Sequence, residues 1–207
     1  MVRAVDFWDA TAEKYAKSPV GDQEVYKEKL ETTQRYFDTD SQVFEFGCGT
    51  GTTAIHHAPF VQKIVATDIS SNMLEIARRK ALEANITNVE FQCSTLEDFK
   101  AADASFDVVM AHNILHLLED PEQAIKLSYR LLKPGGVFVT STVCLGDSFS
   151  YWTILLAIGK FFRKLPYVNA LKRETLNRYL ADAGFNVDLQ WNRKKQAAFI
   201  ILKKPAD

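Results

Sequence analysis

The chain has 207 residues, 47% of them hydrophobic, which suits one medium domain that buries roughly 70% of its unfolded surface. Lysine plus arginine (25) nearly cancels aspartate plus glutamate (26), so no overall basic field gathers nucleic acid or anionic lipid. Three widely spaced cysteines, Cys48, Cys93 and Cys144, argue against a disulfide framework and a Cys-x-x-Cys site; with acids interrupting the N-terminal segment and no run of about 18 apolar residues, a soluble, cytoplasmic protein is expected.

Strand-like runs recur at 42–46, 63–67, 88–92, 106–111, 136–143, 185–190 and 197–203, and the first five alternate with helical patterns. Ser70 reads as the cap of a helix with Met73, Leu74, Ala77, Ala81 and Ala84 on one side and Arg78, Arg79 and Lys80 facing outward. Asp120-Pro121 starts a second helix, with Ala124, Ile125, Ser128, Leu131 and Leu132 as its buried stripe, and Pro134-Gly135-Gly136 ends it. Leu176, Tyr179, Leu180 and Ala183 repeat the spacing, and Gly184 stands where a left-handed cap turns the chain into the next strand. The alternation predicts an α/β fold, a mostly parallel sheet with helices on both faces. Only a short segment, Trp191 to Gln196, separates the last two runs, too short for a parallel crossover, so they form a hairpin and the final strand runs antiparallel.

The densest functional signal is Val43-Phe44-Glu45-Phe46-Gly47-Cys48-Gly49-Thr50-Gly51, an apolar strand with one acid running into three alternate glycines. A second acid, Asp68, ends the next apolar run, which places two carboxylates at neighbouring strand tips beside the glycine turn. Glycines there permit the turn and let backbone approach a ligand closely, at the carboxyl edge of the sheet where ligands bind in open α/β folds. The dinucleotide fingerprint needs a third glycine where this chain has Thr52, and Glu45 suits an ammonium group better than a pyrophosphate.

With these residues the chain resembles the class I S-adenosylmethionine-dependent methyltransferases, of the small-molecule branch that includes ubiquinone and menaquinone biosynthesis methyltransferases. The resemblance covers nearly the whole chain and implies a Rossmann-like seven-stranded sheet, with S-adenosyl-L-methionine as cofactor and S-adenosyl-L-homocysteine as product. It implies that Glu45, Gly47, Cys48, Gly49 and Gly51 wrap the methionine moiety, that Asp68 takes both ribose hydroxyls, and that Ile69 and Met73 flank the adenine. Where the family usually has an Asp beside a small residue to hold the adenine amino group, this chain has Cys93-Ser94-Thr95-Leu96, a departure that leaves Ser94, Thr95 and Leu96 for that edge. Ala111-His112-Asn113 matches the segment beside the sulfonium, and Leu132-Lys133-Pro134-Gly135-Gly136 the family's late structural turn. The segment Phe7 to Tyr15 resembles the leading helix, which brings Tyr15 toward the methyl region, whereas Trp8 reads as packing. The resemblance divides a single domain into a helical cap (1–40), a cofactor-binding core (41–143), an apolar lid insertion (144–170) and a helix with the terminal hairpin (171–207).

Methyl transfer from a sulfonium needs orientation and exclusion of water more than a nucleophilic side chain. A general base is required only if the acceptor must lose a proton, and His112 and His116 are the candidates. Each also has a plainer reading, His112 as a positioning group and His116 as a satisfied helix residue. His56 and His57 lack metal-site spacing and are assigned no role. Between the fifth strand and the last long helix, residues 148–165 are apolar and aromatic, and Tyr151, Trp152, Leu155 and Phe162 suggest a lid over a lipophilic or aromatic small-molecule acceptor. Lys160, Arg163, Lys164, Lys172 and Arg173 also admit a peripheral-membrane lipid methyltransferase. A non-catalytic cofactor-binding module is a further alternative. Nucleic-acid methylation is disfavoured, since Asn113-Ile114-Leu115 is not an Asn-Pro-Pro-aromatic motif and no Pro-Cys nucleophile is present. Oligomeric state is open.

Overall fold

The computed structural model describes residues 3–19, 21–147, 167–191 and 197–206. The insertion residues Tyr151, Trp152, Leu155 and Phe162, with the cations Lys160, Arg163 and Lys164, lie outside the described residues.

Seven strands form one sheet in the order β3-β2-β1-β4-β5-β7-β6. They are β1 (Gln42–Phe46), β2 (Lys63–Asp68), β3 (Val89–Cys93), β4 (Phe106–His112), β5 (Leu132–Val143), β6 (Asn186–Trp191) and β7 (Ala197–Lys203). Every pair from β3 to β5 is parallel, and β7 runs antiparallel to both of its neighbours, as the short connection requires. The described helices are α1 (Ala4–Lys17), α2 (Gln23–Gln34), α3 (Thr52–His57), α4 (Ser71–Glu83), α5 (Pro121–Leu131) and α6 (Arg173–Asp182).

The strands alternate between two separate cores with period two. Phe44, Val109, Ala111, Phe138, Ala198, Ile200 and Leu202 face one cluster, completed by Ile125, Leu131, Leu176 and Leu180 of α5 and α6. Val43, Val108, Met110, Val137, Val139, Phe199 and Ile201 face the other, completed by Ala54 and Ala58 at α3. By the same alternation Glu45, His112 and Ser141 stand on the α3 side, so this apolar face turns polar toward the carboxyl ends of β1, β4 and β5.

The caps follow the sequence, since the Ser70 hydroxyl accepts from Met73 N–H at 3.1 Å and the Asp120 carboxylate from Gln123 N–H at 2.8 Å. Gly184 ends α6 with φ +94°. Three details differ from the expected pattern. Helix α5 stops at Leu131, and Leu132 already pairs with Phe106 as the first residue of β5; the next pair is Val108 with Val137, so Lys133 to Gly136 bulge out inside a strand. Ala84 is the exposed cap of α4, which ends at Glu83 before Asn85 adopts φ +55°, and Ile76 joins the buried stripe. Lys80 does not face outward; its ammonium donates to Thr50 O at 3.1 Å and to Thr52 Oγ1.

A candidate cofactor cleft at the sheet switch point

The chain leaves β1 toward β2 on one side and later returns to β4 on the other, so the carboxyl ends of β1 and β4 flank a crevice. A cleft of about 420 Å³ opens there, within the range of small-molecule sites. Its walls include Gly47 and Gly49 after β1, Asp68 and Ile69 after β2, Met73 on α4, Ser94, Thr95 and Leu96 after β3, His112 at the end of β4, and Tyr15 on α1. Ten of the residues singled out in the sequence therefore meet in one cavity.

The glycine turn divides its labour. All three glycines have positive φ, between 54° and 69°. A Cβ on Gly47 would stand 2.6 Å from Ile114 Cγ1, and one on Gly51 would stand 2.8 Å from both Ala77 Cβ and Phe91 Cε1. Gly51 thus seats α3 against α4 and β3 and does not line the cleft. At Gly49 the nearest atom to an added Cβ is Tyr15 Cε1 at 3.8 Å, so this backbone faces the cavity. Cys48 lies behind the turn, its N–H donating to Thr67 O at 2.9 Å, and burial pushes its thiol well above the ordinary range.

Asp68 ties the two strand tips together. Its carboxylate accepts from Gly49 N–H at 2.8 Å and from Ser70 N–H at 2.9 Å. Burial raises its pKa, and these backbone donors counter part of that rise. Glu45 is 2% exposed, and its Oε2 is buried with no hydrogen-bond partner in the protein. Desolvation, then the charge of Asp68, pushes Glu45 up to about 8. A buried carboxyl left unsatisfied at the end of an otherwise paired strand fits a cation supplied from outside the protein.

The two candidate bases differ from their expected tuning. His112 lines the cleft, but burial and then the Lys29 ammonium push it down to about 4. His116 is pushed by burial to about 4 and does not line the cleft; it lies in a one-turn helix, Leu115–Leu117, whose flanking residues Ile114, Leu117 and Leu118 do. Both are neutral at pH 7, and both are weaker bases than the near-neutral pKa that general-base work favours.

Several lining residues escape the sequence reading. Trp8, expected only to pack, does both: it rests on Ala12, Met73 and Ile76 and also lines the cleft. Its helix α1 is pinned there by Asp9, whose carboxylate accepts from the Ser70 hydroxyl at 2.6 Å and from Asn72 N–H at 3.2 Å. Glu97 supplies an acid on the β3 side, three residues past Ser94, and Glu119, Asp120 and Tyr167 line the opposite part.

The methyltransferase domain family matches residues 44–140, from β1 into β5 and across the whole glycine turn. Over that stretch the chain is similar to the class I methyltransferases. Among the chain's relatives, the uncharacterized methyltransferase YcgJ of Bacillus subtilis is 33% identical over 100 residues, 48% of this chain and 40% of YcgJ. A ubiquinone biosynthesis O-methyltransferase of Xanthomonas axonopodis pv. citri is 29% identical over 192 residues, 88% of this chain and 76% of that protein. The chain thus spans less than half of the first relative and about three quarters of the second. Solved structures share the fold at low identity. A geranyl diphosphate methyltransferase, crystallised with geranyl diphosphate and sinefungin, superposes with a TM-score of 0.71 at 15% identity, over 86% of this chain and 77% of that one. The [4+2]-cyclase SpnF superposes with a TM-score of 0.74 at 18% identity, over 92% and 86%. Among the described residues no helix is long and apolar enough to cross a membrane, and no group of three or more His, Cys, Asp or Glu residues could hold a metal ion.

Proposed function

We propose that this protein is a methyltransferase that uses S-adenosylmethionine to methylate a small lipophilic or aromatic acceptor by in-line displacement, leaving S-adenosylhomocysteine. The observation that carries the reading is the buried, unsatisfied carboxyl of Glu45 on β1, just behind a cleft whose walls include the half-buried Gly49 and, at the neighbouring strand tip, Asp68. When bound, the cofactor supplies a methyl group on a positively charged sulfur whose leaving group is already in place.

The chain's own groups then have distinct tasks. Glu45 receives the ammonium, Gly47 and Gly49 admit the amino-acid portion against backbone, and Asp68 accepts from the ribose hydroxyls with the lone pairs its backbone bonds leave. Ile69, Met73 and Leu96 flank the adenine, whose polar edge falls to Ser94, Thr95 and Glu97. Trp8 and Tyr15 cover the site and exclude water, which strengthens every charge interaction within it. His112, with its low basicity, orients the acceptor and removes no proton from an ordinary alcohol. Ile114, Leu117 and Leu118 give the acceptor end an apolar wall.

The test is to incubate the protein with methyl-labelled S-adenosylmethionine and cell extract and count label in organic, aqueous small-molecule and macromolecular fractions. Label in the organic fraction that depends on wild-type protein and disappears with Glu45→Ala/Asp68→Ala supports the proposal. Label confined to macromolecules would overturn the small-molecule acceptor. The cyclase on the same fold favours a second reading, a cofactor-binding protein that transfers no methyl group. Cofactor binding without label in any fraction would favour it.

A further inference from the structure

Beside the cofactor cleft lies a second, smaller chamber of about 60 Å³, walled by Tyr26, Lys29, Leu30 and Thr33 of α2, Thr53 and His57 of α3, His112 and Asn113 after β4, and Ser141 of β5. His112 and Asn113 are walls of both cavities. The four α2 residues follow i, i+3, i+4, i+7 spacing, so they form one helix face laid over the polar end of the sheet.

Its lining is cationic and donor-rich. The Lys29 ammonium donates to Ser141 Oγ at 2.7 Å, the Tyr26 and Thr53 hydroxyls meet at 3.2 Å, and among the described residues no acid lines the chamber. The Nε2 atoms of His57 and His112 are both buried without a hydrogen-bond partner in the protein. Two orphaned ring nitrogens, the Lys29 ammonium and four hydroxyl side chains belong to residues around one polar void. A volume of about 60 Å³ is room for a few waters or one small polar group, far below the roughly 300 Å³ at which ligand pockets begin. A carboxylate or a single phenolic oxygen fits, and an aromatic ring does not.

We propose that this chamber binds an acidic oxygen group of the methyl acceptor, a carboxylate or a phenolate, against the Lys29 ammonium and the Ser141 hydroxyl, while the acceptor's body lies in the adjoining cleft. The proposal deepens the methyl-transfer reading and rests on it for the word acceptor. Ser141 Oγ, already accepting from Lys29, has its own proton to donate to the anion. His57 and His112 complete the wall as neutral rings, each able to donate once its tautomer places the proton on Nε2.

The experiment measures binding, not turnover. Benzoate, 4-nitrophenolate and the uncharged isostere benzamide are titrated into the protein with and without S-adenosylhomocysteine, for wild type, Lys29→Met, Lys29→Arg and Ser141→Ala. Lys29 and Ser141 do not line the cofactor cleft, so unchanged S-adenosylhomocysteine affinity shows that each variant is folded. At least one anion should bind wild type in preference to benzamide and weaken roughly tenfold or more in Lys29→Met, with a smaller loss in Lys29→Arg and in Ser141→Ala. Benzoate alone would identify a carboxylate group, and 4-nitrophenolate alone a phenolate. Equal binding of the anions by wild type and Lys29→Met, no preference over benzamide, or no binding of either anion to wild type would overturn the proposal. If wild type fails to bind S-adenosylhomocysteine while its anion binding still depends on Lys29, the cofactor reading falls and the anion chamber stands.

Discussion

A carboxyl group that is 2% exposed on the strand of Val43 and Phe44 keeps its proton up to about pH 8, and Glu45 is that group. Burial alone would make it a liability, and an arriving ammonium reverses the balance by favouring the ionised form. Binding of S-adenosylmethionine at about pH 6.5, where an α-amino group is an ammonium and Glu45 in the free protein is protonated, should release close to one proton. Titration calorimetry in two buffers of different ionisation heat reads this directly. The release should fade as the pH rises past about 8 and vanish in Glu45→Gln, which should also bind the cofactor more weakly. Heats independent of buffer in wild type, or equally dependent in Glu45→Gln, would refute the assignment of the ammonium to this residue.

Helix α1 has little hold of its own on the molecule: Ala12 is its single buried residue, and the bond from the Ser70 hydroxyl to Asp9 fixes it over α4. Asp9→Ala should therefore loosen α1 without unfolding the sheet. Hydrogen exchange should accelerate in residues 4–17 while β1, β4 and β5 keep their protection, and cofactor affinity should fall because Trp8 and Tyr15 travel with the helix. Uniform acceleration across the chain would contradict this local role. Elements with strong periodicity were legible from the sequence, including all seven strands, the antiparallel β7, and the caps Ser70, Asp120 and Gly184. Helix α2 was readable only as part of a helical cap, since its inward face mixes Tyr26, Lys29, Leu30 and Thr33 and gives hydrophobic spacing little to detect. The bulge in β5 was hidden because Leu132 is apolar and suits either the last turn of a helix or the first pair of a strand. The glycine turn, Asp68 and the residues after β3 could be listed in advance. That Lys80 clasps the turn, that Glu97 stands at the rim of the cleft and that His57 shares a chamber with Lys29 are products of tertiary docking, which leaves no local pattern.

At the scale of the whole molecule, four buried titratable groups shape the dependence of stability on pH. His57 is held at about 3, and His112 and His116 at about 4, against an ordinary 6.5, so between roughly pH 4 and 6.5 the unfolded chain binds protons that the native protein refuses. Their contribution is full above about pH 6.5 and is lost on acidification, at up to roughly 1.4 kcal/mol per pH unit for each ring. Glu45 acts in the opposite sense: its native pKa is raised, so its contribution is full below the ordinary carboxyl range and declines as the pH rises toward 8. Melting temperature in the absence of cofactor should peak near pH 6.5, with a steeper fall on the acid side, and Glu45→Gln should flatten the alkaline side and steepen the acid side above about pH 4.5. A flat profile from pH 5 to 7 would show that the histidines titrate normally. The strand order carries a different consequence, for a chain being synthesised. Strand β7 is the last of the seven to be made, yet it sits inside the sheet between β5 and β6. Until it emerges, β5 presents an open edge and β6 has no partner, so a ribosome-bound intermediate with six strands holds two unpaired edges in waiting, and a chaperone that shields β5 during that interval would act where this protein is most prone to stick to its neighbours.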